Sequence, residues 1–227
     1  MTIFFRLLFI FEILFSLNSL FAQEKKNAIV ENYQKLDPRE AVRAILIDKQ
    51  NYKWLGTDKG LYRVISMDSE PELMISDSIS SLAEDKSEMV WFGNRKQQLI
   101  TEDQKQKIIL SDKNLEITCT SYFKGDIWVG TNNGLFKVSD DQNKILNHYT
   151  TDNSKLKSNH INMLYPDKEG KLWVGTDNGV VIIDNKKWDQ YEKDHKITGA
   201  IATKDGIWLL AEKKMWLIYK EEGRDRW

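Results

Sequence analysis

Apolar positions along the chain come in short runs separated by turn residues, a pattern of strands and not of helices. The stretch from 161 to 191 shows it most plainly. Ile161 to Tyr165 (INMLY) is an apolar run, Pro166 to Gly170 (PDKEG) makes a turn, and Lys171 to Thr176 (KLWVGT) is a second apolar run. Asn178-Gly179 then predicts a two-residue hairpin of type I′, since both residues tolerate positive φ. Val180 to Asp184 (VVIID) is a third strand, and the more polar Lys187 to Tyr191 (KWDQY) a fourth. A helix fits poorly: Val, Ile, Trp and Gly are weaker helix formers, and apolar positions do not recur at i, i+3 and i+4.

The unit repeats. Five segments align on Trp54, Trp91, Trp128, Trp173 and Trp208, at spacings of 37, 37, 45 and 35 residues. Three share W-[LV]-G-T-x-x-G-[LV]: Trp54 to Leu61, Trp128 to Leu135 and Trp173 to Val180. Repeat two keeps Gly93 but reads Asn94-Arg95-Lys96-Gln97 with no hairpin glycine, and repeat five loses the Gly-Thr pair after Trp208. Runs such as LWV and VVII are continuous, so each sheet is expected to be covered on both faces. Four-stranded meanders at this period that must bury both faces predict an all-β fold, a β-propeller or partial, open propeller of about five blades.

Composition narrows the function. The chain has 227 residues with 33 Lys+Arg against 34 Asp+Glu, a formal net charge of −1, which argues against nucleic acid as a partner. A single cysteine, Cys119, rules out an intrachain disulfide and a multi-cysteine zinc site. The start, MTIFFRLLFIFEILFSLNSLFA followed by Gln23-Glu24-Lys25-Lys26, has one early cation, an apolar stretch and a small residue before a polar run. It predicts a signal peptide over 1–22 with an N-terminal signal helix, a propeller-like domain over 23–227, and a periplasmic or secreted address. An uncleaved inner-membrane anchor is the alternative. No transmembrane segment is expected after the signal peptide.

At these residues the sequence resembles the two-component regulator propeller repeats, whose pattern runs Asp-x-x-Gly-x-Leu-Trp-Val-Gly-Thr-x-x-Gly-Leu. The segment from Asn159 to Gly179 matches it best, and the 148–159 linker is similar to the family's inter-blade segment. Asn32 to Leu36 is a weaker echo. The resemblance implies the periplasmic sensor region of Bacteroides-type hybrid two-component systems, detection of oligosaccharides, and usually seven blades. With five repeats and no kinase segment, this chain is expected to be a truncated, split or stand-alone relative.

Catalytic chemistry is not expected. His148, His160 and His195 fall in predicted inter-blade segments without metal-ligand spacing and read as solvated loop residues; Cys119 reads as a small core residue. Asp48, Asp85 and Asp167, each six residues before a blade Trp, are expected to initiate turns through side-chain to backbone bonds. The chain is therefore expected to be no enzyme, to need no metal or cofactor, and to bind ligand at the mouth of the propeller channel. The geometry of a propeller places Arg39, Lys59, Asn114, Asn133, Asn159, His160, Asn178 and His195 there. The partners expected are an oligosaccharide or other small ligand, or a further propeller subunit for which the chain is a scaffold.

Overall fold

The structure, a computed structural model, describes residues 39–226 apart from 67, 111–113, 186, 192–193, 205, 213 and 222–223, with backbone alone at 214, 216 and 218–226. The expected signal helix and the echo at 32–36 lie outside the described residues. Twenty strands form five four-stranded antiparallel meanders, with no helix among the described residues.

Sheet one comprises β1 (Val42–Ile47), β2 (Lys53–Thr57), β3 (Leu61–Val64) and β4 (Glu72–Ile75). Sheet two is β5 (Ile79–Glu84), β6 (Val90–Asn94), β7 (Gln98–Thr101) and β8 (Lys107–Ile109). Sheet three follows with β9 (Ile117–Phe123), β10 (Asp126–Thr131), β11 (Gly134–Ser139) and β12 (Lys144–Tyr149). Sheet four contains β13 (Ile161–Pro166), β14 (Leu172–Thr176), β15 (Gly179–Asp184) and β16 (Lys187–Tyr191). Sheet five holds β17 (Ile197–Thr203), β18 (Gly206–Ala211), β19 (Lys214–Glu221) and β20 (Arg224–Arg226). The first strands lie side by side in the order β1, β5, β9, β13, β17, which makes a propeller-like array with four seams.

Each seam is built alike. The blade Trp points forward into the next sheet: Trp54 packs with Ile79, Leu82 and Phe92, Trp91 with Ile117 and Val129, Trp128 with Ile161 and Val174, and Trp173 with Ile197 and Leu209. The glycine two residues later is the socket. A Cβ on Gly56 would stand 2.7 Å from Ile79 Cγ2, on Gly93 2.6 Å from Ile117 Cγ2, and on Gly130 2.6 Å from Ile161 Cγ2. On Gly175 it would meet the Ile197 backbone oxygen at 2.8 Å. The isoleucine that opens each following inner strand thus seats on bare backbone, which explains why the repeat needs glycine here. Every one of those four isoleucines is buried.

The two outward faces depart from this rule. Val42 opens β1 where the others have isoleucine, and it is 46% exposed. Sheet five carries Leu210 at the socket position, 50% exposed, beside exposed Ile201 and Met215. Ile45 and Ile47 are likewise exposed on sheet one.

The aspartates do more than the sequence predicts. Asp48 Oδ1 accepts the Tyr52 N–H at 2.8 Å, Asp85 Oδ1 those of Ser87 and Met89 at 2.7 and 3.1 Å, and Asp167 Oδ1 those of Glu169 and Lys171, both at 2.9 Å. The other oxygen of each accepts the indole N–H of Trp54, Trp91 or Trp173, at 2.8 Å in all three. The loop has five residues, and its fourth, Asn51, Glu88 or Gly170, takes a positive φ of 66°, 66° or 78°. Sheet three instead turns on Lys124-Gly125, both at positive φ, which leaves no room for the aspartate loop. Accordingly Trp128 Nε1 is buried without a partner.

One turn differs from expectation. Thr176 pairs directly with Gly179, so the hairpin residues are Asp177 and Asn178, and Gly179 alone takes positive φ, at +91°. The type I′ pair at Asn178-Gly179 does not form. Thr176 Oγ1 donates to the Gly179 carbonyl at 3.0 Å and holds the turn closed instead. In the degenerate second repeat Asn94 does the equivalent work, its Oδ1 accepting the Lys96 and Gln98 N–H groups at 3.0 and 3.1 Å.

Candidate functional site

Hairpins between the second and third strands meet the lead-ins to the inner strands at one end of the array. The hairpin N–H of Asp58, Arg95, Asn132 and Asp177 each donates to the carbonyl just ahead of its own inner strand: Ala41, Ser78, Glu116 and His160. Gly134 and Gly179 donate onward, to Asn159 at 2.6 Å and His195 at 2.8 Å. Each hairpin is therefore tied to its own inner strand, and from sheet three to sheet five the hydrogen bonds also run from one sheet to the next.

A cleft of about 870 Å³ opens in this rim across sheets one to three. Its walls include Arg43, Ser80, Asn94, Arg95, Gln97, Asn114, Glu116 and Thr118. Several of these are tied down. Ser80 Oγ donates to the Gly93 carbonyl at 3.2 Å, Thr118 Oγ1 to the Ile161 carbonyl at 2.6 Å, and Asn94 Nδ2 to Asp77 at 3.0 Å. Asp77 is taken up further by Lys96 at 3.1 Å.

A second polar cluster stands over sheets four and five. His160 Nδ1 donates to Asp177 Oδ2 at 3.1 Å, Asn162 Nδ2 donates to Asp177 Oδ1 at 3.0 Å, and Lys196 Nζ lies 3.5 Å from the same oxygen. Burial disfavours the Asp177 charge, but the bonds from Asn162 and His160 and the neighbouring cations outweigh it and hold its carboxyl below the usual carboxylate range.

The expected site residues divide. Asn114 lines the cleft, with φ of 44°. Arg39, Lys59, Asn178 and His195 are exposed on the rim outside it. Asn159 serves structure: its Oδ1 accepts the Thr151 N–H at 2.8 Å, and its carbonyl the Gly134 N–H. The Asn133 carbonyl binds His148 Nε2 at 2.8 Å. Two histidines depart from a solvated loop. His148 belongs to the outer strand β12, its ring stacked on Phe136 at 3.9 Å, and His160 is half-buried against Asp177. Cys119 packs in the seam of sheets three and four, and desolvation pushes its thiol up to about 12, against opposing bonds from Thr118 and Gly130.

Arg43, Arg95, Gln97, Glu116 and Thr118 are missed by sequence reasoning. One signal was present for two of them: the residue after each inner-strand opener is polar in sheets one to four, as Arg43, Ser80, Thr118 and Asn162. Among the described residues no cluster of His, Cys, Asp and Glu has the makings of a metal site, and no helix is long and apolar enough to cross a membrane.

Residues 155–178 match the family model described as two component regulator propeller. No curated protein matches the chain. Among solved structures, the extracellular domain of the hybrid two component system BT4673 from B. thetaiotaomicron matches with a TM-score of 0.68 at 16% identity, over 84% of this chain and 28% of that one. That of BT3049 from the same organism matches at 0.51 and 19%, over 76% of this chain and 32% of that one. Virginiamycin B lyase from Staphylococcus aureus matches at 0.64 and 16%, over 83% and 72%. The chain thus spans less than a third of those two extracellular domains, and at such identities the likeness is one of fold. Residues 155–178 thus carry a repeat similar to that of the two component regulator propellers, sister units stand around Trp54 and Trp128, and the array has a propeller-like fold similar to that of those extracellular domains.

Proposed function

We propose that the chain is a non-catalytic recognition propeller acting outside the cytoplasm, the sensing portion of a two-component type system. The observation that carries this reading is the polar cleft at the rim of sheets one to three, where side chains from three sheets converge on one space. Propellers use such mouths to assemble a binding surface from loops on a rigid frame. The family match and the likeness to extracellular sensor domains support the location and the role, and the apolar N-terminal stretch supports export. Oligosaccharides are the ligand class the family resemblance favours.

The virginiamycin B lyase likeness raises catalysis as a rival, and it needs convergent acid and base groups. The His160–Asp177 pair is the nearest approach to one, yet Asn162 and Lys196 also hold that carboxylate. Thermal denaturation of the secreted chain against a panel of glycan fragments tests the proposal. A ligand at 100 times its Kd adds about 2.7 kcal/mol and raises the midpoint; a folded protein that no fragment stabilises refutes it. A scaffold role is the second reading, favoured by the exposed Ile45 and Ile47 at one face and Ile201, Leu210 and Met215 at the other. Co-elution with another propeller subunit, without small-molecule binding, would support it.

A further inference from the structure

Three features compete for attention: the apolar outward faces, the His160–Asp177 cluster, and the cleft of sheets one to three. The cleft carries an inference about ligand chemistry. Its charged side chains come from three separate sheets: Arg43 from β1, Arg95 from the β6–β7 hairpin, and Glu116 from the lead-in to β9. Neither guanidinium has a hydrogen bond or ion pair among the described residues. Glu40, three residues before Arg43, is engaged by Thr57 and Tyr62, and Asp77, next to the Ser78 carbonyl that the Arg95 N–H reaches, is already held by Asn94 and Lys96. The hydroxyls of Ser80 and Thr118 are likewise spent on backbone carbonyls. Among the described residues no aromatic side chain lines the space to serve as a stacking platform for a sugar ring. What the cleft offers is two unengaged, fork-shaped cations beside amides and one carboxylate.

We propose that this cleft binds a polar ligand through an acidic group, a carboxylate or sulfate, held by Arg43 and Arg95. Guanidinium forks pair with planar or multi-oxygen anions through two parallel N–H bonds, which gives both strength and orientation. Glu116, on the third sheet, accepts from hydroxyl groups on the neutral part of the same ligand. Among the described lining residues the two arginines outnumber the one carboxylate, so the site selects for negative charge. An acidic oligosaccharide satisfies these demands, and a neutral one of the same length does not. The inference rests on the recognition reading and refines it.

The test is calorimetric titration of the secreted chain at low and at physiological salt. Three probes of equal length are used: an oligosaccharide of uronic acids, a sulfated one and a neutral one. Binding of one acidic class, weakened by salt, supports the proposal, and the class that binds identifies carboxylate or sulfate as the group read. Arg43→Ala and Arg95→Ala should each weaken that binding at least about tenfold, as expected for a charge-assisted pair worth about 1.5–3 kcal/mol. Lys168→Ala, on the β13–β14 turn, should leave it unchanged, and far-ultraviolet circular dichroism confirms that each variant is folded. Equal binding of the neutral probe, with both arginine variants unaffected, overturns the acidic-ligand inference while leaving recognition intact. Loss of affinity in Lys168→Ala equal to that in the arginine variants reduces the effect to diffuse attraction and also overturns it. Failure of all three probes overturns the inference, and the glycan panel above decides separately whether recognition survives.

Discussion

Replacing Asp85 by alanine tests how the blade tryptophan is held. Asp85 is buried, one oxygen taking two turn amides and the other the indole N–H of Trp91, which is fully buried. Alanine leaves that N–H enclosed without an acceptor, at a cost of about 1–3 kcal/mol. The turn amides lose their acceptor as well, but Ser87 lies at the surface and water recovers part of that bond. The total should be about 2–4 kcal/mol, or a fall of roughly 4–16 °C in Tm for a chain of this size. Asn in place of Asp should cost nearly as much on the indole side, since an amide that feeds oxygen to the turn presents its NH₂ to the Trp91 N–H. Urea denaturation followed by tryptophan fluorescence measures the loss. A double-mutant cycle with Trp91→Phe isolates the shared bond, and the coupling should reach about 1 kcal/mol. A loss under 0.5 kcal/mol, or strict additivity of the two substitutions, would refute the reasoning. Trp128 is the internal reference, since its N–H is buried with no acceptor and the sheet still forms.

Gly93→Ala should destabilise by about 1–3 kcal/mol, because the new methyl would stand 2.6 Å from Ile117 and 2.7 Å from Ser81 Oγ in a packed seam; an unchanged denaturation midpoint would contradict the socket. Cys119, its thiol pushed up to about 12, should resist alkylation at pH 8 in the native protein and react once unfolded, as mass spectrometry of iodoacetamide-treated samples will show. Asp103 titrates from a pKa lowered from 3.8 to about 2, first by the Thr101 hydroxyl and then by Lys105. A depressed carboxyl stabilises the fold above its unfolded pKa, so that contribution should be whole above about pH 4 and fade toward pH 2; carboxyl-carbon NMR should place its midpoint near 2, and a midpoint near 3.8 would refute the assignment.

Much of the architecture was legible because the Trp-x-Gly-Thr core states a steric requirement. Trp173, Gly175 and Thr176 fill a seam, leave a hollow and close a hairpin, and the same three tasks recur at Trp54 and Trp128. The degenerate second repeat was readable as a blade, but the means by which it turns was not. Asn94 replaces a threonine with an amide that collects two N–H groups, and Gln97 takes positive φ at the position where the three regular repeats have Gly60, Gly134 and Gly179. The second duty of Asp48, Asp85 and Asp167 escaped because it depends on which way the indole edge points, a matter of packing. At the site, the rim position of Asn114 followed from topology. Arg43 and Arg95 did not, since one lies within an inner strand and the other in the least regular hairpin. Asn159 and Asn133 look like ligand groups in the sequence, yet Thr151 takes the Asn159 amide oxygen, Gly134 of the preceding sheet takes its carbonyl, and His148 takes the Asn133 carbonyl. Sequence spacing shows where polar groups gather, and only geometry shows which remain unspent.

The leucine at position 210 reverses the sense of one mating surface. At the four seams the earlier sheet is the female half and the later sheet brings the branched side chain. On the outward side of β18 a side chain projects where backbone should lie bare, so two male halves would collide if another sheet with an isoleucine at its start were laid there in the usual alignment. Whatever rests against that side must offer a recess for Leu210 and Met215, which is a different shape from any the repeat itself provides.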